Sequence, residues 1–517
     1  MFSLALLFVS GVRGHGQAPT TSPRVVVQEH GLPPIELGII ADESRAPDSP
    51  ETLRRLSIHR ESATLDRVGA SGSRYAPGRV IVKFRNGVSS ASRVTALSAT
   101  SRTASMSERP SYANFDIVRI DPTEDAEAVA RALGQRPDVE YAQAAYRVHT
   151  QLVPNDKFYS MQWNLPLIDL ERAWDIQPGA GSAITVAVVD TGIAYTSATA
   201  RFHAFAFRDD RGAFYPSLGD ITLSFVPATE LGPSSRFVAP HDFIWDDNLP
   251  LDLDGHGTHV TGTIGQLTNN GLGLAGVAFN VKIMPVKVID AMWDDIFGAP
   301  TFGTDDTVAR GIRYAADNGA NVINMSLGRD GDPAPVVEDA IKYAVGKGVF
   351  IAIAAGNGFE EGNPKQVIAD IASRVQGAVS VAAVDPAKAH AWYSSTGSYV
   401  ELSAPGGTNR GFSRGGFVFQ QTYDFNYTDT FLLPPSQFAA PRFDVLNYIG
   451  YIGTSQAAPH VSGLAAMLMQ QGIKNPAAIE AALEKFATDL GDKGRDDTFG
   501  YGLIEARDTL RGLGLAK

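Results

Sequence analysis

The sequence predicts an α/β protein built on a three-layer parallel sheet flanked by helices, preceded by a small α+β domain. Three observations carry that prediction. From about residue 154, apolar runs rich in Val and Ile alternate with helical stretches, the pattern of strands buried on both faces of a parallel sheet. Ahead of them, β-rich runs and two helical patterns close within residues 79–150. The length, 517 residues, exceeds one ordinary domain.

Taken in order, the opening "MFSLALLFVSG" is apolar but far short of the ~20 residues that span a bilayer. It reads as an export signal over residues 1–22, which predicts a secreted protein, and no later segment is expected to be a membrane span. Residues 23–78 mix Pro, Ser, Arg and acids without a period and read as a disordered linker. "RVIVKF", after a Pro-Gly turn, and "FDIVRI" read as strands. Between them lies a weak helical pattern on Val88, Ala91, Val94 and Leu97. A second helix is expected with Asp121 as its N-cap and Pro122 in first position. Its apolar face is Ala126, Val129, Ala130 and Leu133. "VEYAQAAYRV" closes this domain as a strand.

In residues 151–517 the predicted buried strands are 184–189, 281–289, 322–327, 349–355 and 378–384. "PVVEDAIKYAVGKG" places Val336, Val337, Ala340, Ile341 and Ala344 on one helical face. The helices after Gly255 and Gly453 are richer in small residues, as expected if they are packed on all sides. In such folds ligands bind beyond the carboxyl ends of the strands.

Forty-four basic against 56 acidic residues leave a net charge of −12, which argues against nucleic acid or an anionic membrane as partner. The absence of cysteine excludes thiol catalysis, thiolate metal sites and disulfides.

Three stretches carry chemistry. "ITVAVVDTGIA" ends a buried strand at Asp190. An acid there commonly caps a turn, and the aspartic protease alternative needs a second Asp-Thr-Gly or Asp-Ser-Gly, which does not occur. "LDGHGTHVTGTIG" opens a helix with His256 and His259. They could share a helix face toward a metal, but the zinc pattern His-Glu-x-x-His is absent. In "YIGTSQAAPHVSG", Thr454 can cap the helix alone. That leaves the Ser455 hydroxyl in the field of the positive helix end, beside unpaired N–H groups. Serine becomes a nucleophile when an imidazole takes its proton and a carboxylate fixes the imidazole's tautomer.

"VVDTGI", "GHGTHVTG" and "GTSQAAPHVSG", in this order, resemble the three signature blocks of the subtilisin-like serine proteases, or subtilases. The resemblance covers nearly everything after Pro154. It implies a subtilisin-like fold and a serine endopeptidase with Asp190, His256 and Ser455 as its triad and no cofactor in catalysis. "VFIAIAAGNG" is similar to the family strand delivering an oxyanion-hole asparagine, here Asn357. "NMSLG" resembles the strand lining the primary specificity pocket, here Ser326, Leu327 and Gly328, which pairs with an extended substrate.

By the same resemblance, residues 79–150 are a propeptide, inhibitor and chaperone in one, whose tail from Tyr146 to Gln151 lies in the cleft. Maturation is expected as self-cleavage between about Arg147 and Asn155, from a monomeric zymogen whose partners are protein or peptide substrates and its own propeptide. "LTNNGLGLAG" resembles the family's calcium loop, with Asn270 and Asp156 as ligands. Two features depart from the pattern. Gln456 stands where family members usually carry Met and is expected to face away from the chemistry. Expansions at about 200–245 and 407–452 are either plain surface loops or walls that narrow the cleft.

Overall fold

A computed structural model describes residues 75–146 and 152–512, apart from 102–103, 107–108, 110–112 and 413–414, together with Val25–Val27 and Ile35–Leu37. The export signal read over residues 1–22 and most of the 23–78 stretch lie outside the described residues, as does the 147–151 part of the cleavage region expected between about Arg147 and Asn155. Within 23–78, the two short strands are antiparallel to each other, and Val25–Val27 runs parallel to Leu446–Tyr451.

The chain forms two compact units, one around residues 75–146 and one around 152–512. In the first, β1 (Tyr75–Phe84), β2 (Ser105–Met106), β3 (Asp116–Arg119) and β4 (Val139–Tyr146) form an antiparallel sheet in the order β2-β3-β1-β4. Helices α1 (Ser90–Thr100) and α2 (Ala126–Gly134) supply apolar residues to its core. The face expected of α2 is the buried one, but its N-cap is Asp125, which accepts from the amides of Glu127 and Ala128. Asp121 instead closes a separate turn through Thr123 and Glu124. On α1 the buried positions are Ala96 and Leu97, and Val94 is exposed.

The second unit is built on seven strands. In chain order these are β5 (Thr185–Asp190), β8 (His241–Asp242), β9 (Lys282–Lys287), β10 (Val322–Met325), β11 (Phe350–Ala354), β12 (Ala378–Val384) and β13 (Leu402–Pro405). The intervening labels β6 (Ala198–Ala204) and β7 (Gly219–Phe225) belong to a separate antiparallel hairpin. The sheet order is β8-β9-β5-β10-β11-β12-β13, parallel throughout. All five predicted strands are present; the edge strands β8 and β13 are additional.

Alternate residues divide between two cores. Val186, Val188 and Ala352 pack with α3 (His256–Gly265) and α7 (Thr454–Gln470). Ala187, Val189, Ile351 and Ile353 pack with α5 (Asp305–Asp317) and α6 (Pro335–Gly346). The three layers are therefore helix, sheet, helix. Helices α3 and α7 are buried almost throughout, which explains their small residues. On α6, Val337, Ala340, Ile341 and Ala344 are buried as expected, whereas Val336 is exposed.

Both expansions carry regular structure among the described residues. The 200–245 expansion includes the β6–β7 hairpin, and the 407–452 expansion forms a hairpin of β14 (Val418–Tyr423) and β15 (Leu446–Tyr451). They meet around α4 (Met292–Phe297): the Trp293 ring stacks on Phe438, its indole N–H donates to the Thr428 carbonyl, and Tyr215 Oη donates to the Leu433 carbonyl. No helix among the described residues is long and apolar enough to cross a membrane.

Candidate active site

The three signature stretches converge at the carboxyl edge of the sheet. Asp190 is the last residue of β5, His256 the first of α3 and Ser455 the second of α7. Asp190 is fully buried, and its Oδ1 accepts from His256 Nδ1 at 2.7 Å and from the Thr191 amide at 2.8 Å. Its Oδ2 has no hydrogen-bond partner among the described residues, so the neighbouring imidazole is the group placed to balance the charge. With Nδ1 donating, Nε2 of a neutral His256 is the free acceptor. Burial disfavours the imidazolium, yet Asp190, Asp254 and Asp252 outweigh it and push the His256 pKa up to about 9.

Ser455 Oγ donates to the Ser326 carbonyl at 3.2 Å, and Ser326 Oγ donates back to the Ser455 carbonyl at 2.7 Å. Among the described residues no hydrogen bond joins Ser455 to His256. For His256 Nε2 to accept the Ser455 proton, the hydroxyl would have to turn away from the Ser326 carbonyl. The Ser326 hydroxyl also accepts from Asn324, which accepts from Ser462. Of the three residues expected to bind substrate, Ser326 and Leu327 are buried, and Gly328 is exposed.

Asn357 follows β11, and its Oδ1 accepts from both Thr454 N (2.9 Å) and Thr454 Oγ1 (3.0 Å). That fixes which end of the amide is oxygen and leaves Nδ2 as a donor. Gly453 lies between the two donors. A Cβ there would stand 3.4 Å from Asn357 Nδ2, 3.6 Å from Ser455 N and 2.8 Å from Gln456 Oε1. A side chain at 453 would thus intrude between donors that converge on one small space. Gly453, not Thr454, is the N-cap of α7; the Thr454 hydroxyl is tied to Asn357 instead. Gln456 is buried against Gly453, close to these donors rather than turned away from them.

Asp252 is the positioning residue that motif reading passed over. Fully buried, it accepts five hydrogen bonds: Thr191 Oγ1, Asp254 N and Gly255 N on Oδ1, and Thr258 N and Oγ1 on Oδ2. One carboxylate thereby ties the turn after Asp190 to the start of the helix that carries His256. The acids two and four residues before His256 in "DLDGH" were the available signal. Asp252→Ala is expected to cost at least about 3 kcal/mol, because several buried donors lose their acceptor. Scanning calorimetry should show a lower unfolding midpoint; an unchanged midpoint would remove this role.

His259 is structural. Its Nε2 donates to the carbonyls of Val418 and Ile449, its ring stacks on Tyr451, and burial pushes its pKa down to about 3. With Thr422 Oγ1 donating to the Gly255 carbonyl, it fastens the 407–452 expansion to the helix that begins at His256.

The two residues expected to hold calcium, Asp156 and Asn270, are brought together, the Asn270 amide donating to Asp156 Oδ1. Asp156 accepts from the amides of Asn269 and Asn270, and Asn270 Oδ1 accepts from the Leu272 amide. These side-chain oxygens are turned toward N–H donors, and among the described residues no group of three or more His, Asp or Glu could hold a metal ion.

Comparison with known proteins agrees with this geometry. The subtilase family model matches residues 181–502, and that of the fervidolysin N-terminal prodomain matches residues 63–144. A thermophilic serine proteinase of Bacillus sp. (strain AK1) is 30% identical over 464 residues, covering 90% of this chain and 92% of its own. Thermitase of Thermoactinomyces vulgaris is 30% identical over 342 residues, 66% of this chain and 94% of its own. A solved protease structure from Pseudoalteromonas arctica has 26% identity and a TM-score of 0.52, covering 71% of this chain and 100% of that one. With its parallel sheet, Asp190, His256 and Ser455 at the sheet's carboxyl edge and a family match over more than half its length, the chain belongs to the subtilase family of serine proteases.

Proposed function

We propose that the protein is a secreted serine endopeptidase, made as a zymogen that cleaves itself. The observation that supports this reading best is the Asp190–His256 hydrogen bond on the same sheet edge as Ser455 and two converging donors, Asn357 Nδ2 and Ser455 N. His256 Nε2 takes the proton from Ser455 Oγ as Oγ attacks the peptide carbonyl. Asp190 holds the imidazole in the tautomer that leaves Nε2 free and stabilises the imidazolium. The two donors receive the tetrahedral oxyanion. His256 then protonates the leaving amine, and water, deprotonated by the same nitrogen, releases the acyl group. No metal or cofactor enters these steps. Substrates are proteins or peptides, and residues 79–150 act as the chain's own inhibitor until cleavage between about Arg147 and Asn155; the mature enzyme works as a monomer. A fluorophosphonate probe tests the reading: the adduct is expected on Ser455, and labelling elsewhere or none would contradict it.

The carboxylates around His256 set the pH dependence. Only neutral His256 can act as base, so kcat/KM is expected to rise with pH through about 9. The stability effect has the opposite sign. A raised histidine pKa stabilises the fold fully below about 6.5 and ceases to do so as pH rises through about 9. A kcat/KM profile already flat at pH 7 would show that the carboxylates do not hold the proton in place.

A further inference from the structure

The segments 326–328 and 355–357 run side by side from the ends of β10 and β11. Their ladder pairs Val322 with Phe350 and ends at Met325 with Ile353; beyond it, Gly328 and Gly356 both approach the Gln366 side chain. One segment holds the Ser326 carbonyl that receives Ser455 Oγ, and the other ends in Asn357. A peptide carbonyl placed over Ser455 with its oxygen toward Asn357 therefore sends its own side chain into the crevice between them. Neither Gly328 nor Gly356 puts a side chain of its own into that space.

One side chain crosses it. A Cβ on Gly356 would stand 2.4 Å from Gln366 Cγ and 2.8 Å from its Cδ, and a Cβ on Gly328 would stand 3.4 Å from Gln366 Oε1, the sole atom within 4 Å. Gln366 is half-buried, its Nε2 donates to the Pro364 carbonyl at 3.3 Å, and the next amide, Val367 N, donates to the Arg329 carbonyl. The side chain is thus anchored with its amide oxygen turned toward the open face of Gly328.

Building on the proposed endopeptidase function, we propose that Gln366 forms the floor of the pocket for the P1 side chain, the one on the attacked carbonyl. It selects uncharged side chains of moderate length that can hydrogen-bond to an amide, glutamine foremost, over large aromatic ones. An aromatic ring seated there would cover the Gln366 oxygen without offering a donor, and a site built to hydrogen-bond its substrate rejects an analogue that leaves its polar group unpaired. The floor also shortens the crevice, since the Gln366 stem lies across Gly356.

The test expresses the full chain, lets it mature, and compares kcat/KM of the matured enzyme on two peptides that differ only at P1, glutamine or phenylalanine. Wild type is expected to favour glutamine by at least tenfold, and Gln366→Gly to reverse the order in favour of phenylalanine. Gln366→Glu, which keeps the side-chain length, is expected to favour a lysine peptide over the glutamine one by at least tenfold, and it decides the matter if the glycine variant does not fold. Wild type that prefers phenylalanine, or variants with an unchanged P1 profile, overturns the inference while leaving the proposed function intact. If no peptide is cleaved and no fluorophosphonate adduct forms on Ser455, the proposed function falls and this inference falls with it.

Discussion

Alanine in place of Ser455 is expected to lower turnover of a peptide substrate by on the order of 10⁶-fold, the loss known for the nucleophile of subtilisin, a fellow subtilase. The size follows from the chemistry: without Oγ there is no acyl-enzyme, and the residual rate comes from the oxyanion donors and substrate binding. The fold should barely notice. The one hydrogen bond the Ser455 hydroxyl donates is to the Ser326 carbonyl, while the Ser455 carbonyl keeps its bond from Ser326 Oγ. Equal thermal midpoints for matured wild type and for the variant freed of the residues before about Asn155 by an added protease, with activity lost, would place the defect in the chemistry. A variant retaining a tenth of wild-type activity would assign the nucleophile elsewhere.

Asp190→Asn is expected to cost about 10⁴-fold in kcat. The carboxylate accepts from His256 Nδ1 and from the Thr191 amide on the same oxygen and is fully excluded from water. An amide in its place can turn an N–H toward Nδ1, which moves the imidazole proton to Nε2 and removes the base from Ser455. The same change removes the carboxylate hydrogen-bonded to the imidazole, which raises the His256 pKa, so the remaining activity should show its rise with pH at a lower value than wild type. Stopped assays between pH 6 and 10 on both proteins would show this; a profile of unchanged midpoint would mean that Asp190 does not carry the charge interaction.

How much of this was legible in the sequence follows from the range over which each feature is encoded. The five central strands are continuous apolar runs because the helix layers cover both their faces, so composition alone marks them. The edge strands His241–Asp242 and Leu402–Pro405 are too short for a period to register, and their pairing depends on neighbours far along the chain. The N-cap of α2 was placed four residues early because Asp121-Pro122 satisfies the same local rule as a cap but is spent on its own turn.

Asp190, His256, Ser455 and Asn357 stand in contiguous blocks, and the structure brings all four to one sheet edge. Asp252 was passed over because its role consists of five hydrogen bonds, one of them to a residue 61 positions away. The place of Gln456 is hidden for a related reason: the sequence shows its neighbours in the chain, and not that its amide packs against Gly453. The loop of Asp156 and Asn270 resembles a calcium loop in composition, yet oxygen content alone does not decide whether the oxygens face a cation or backbone amides.

The most direct test of a self-processing serine protease is the intact mass of purified wild type beside Ser455→Ala, each expressed as the full chain. Wild type is expected to convert to a species lacking the residues before about Asn155, while the variant remains at full length. Cleavage of both at the same bond would show that Ser455 does not carry out the maturation, and full-length mass for both would contradict self-processing altogether.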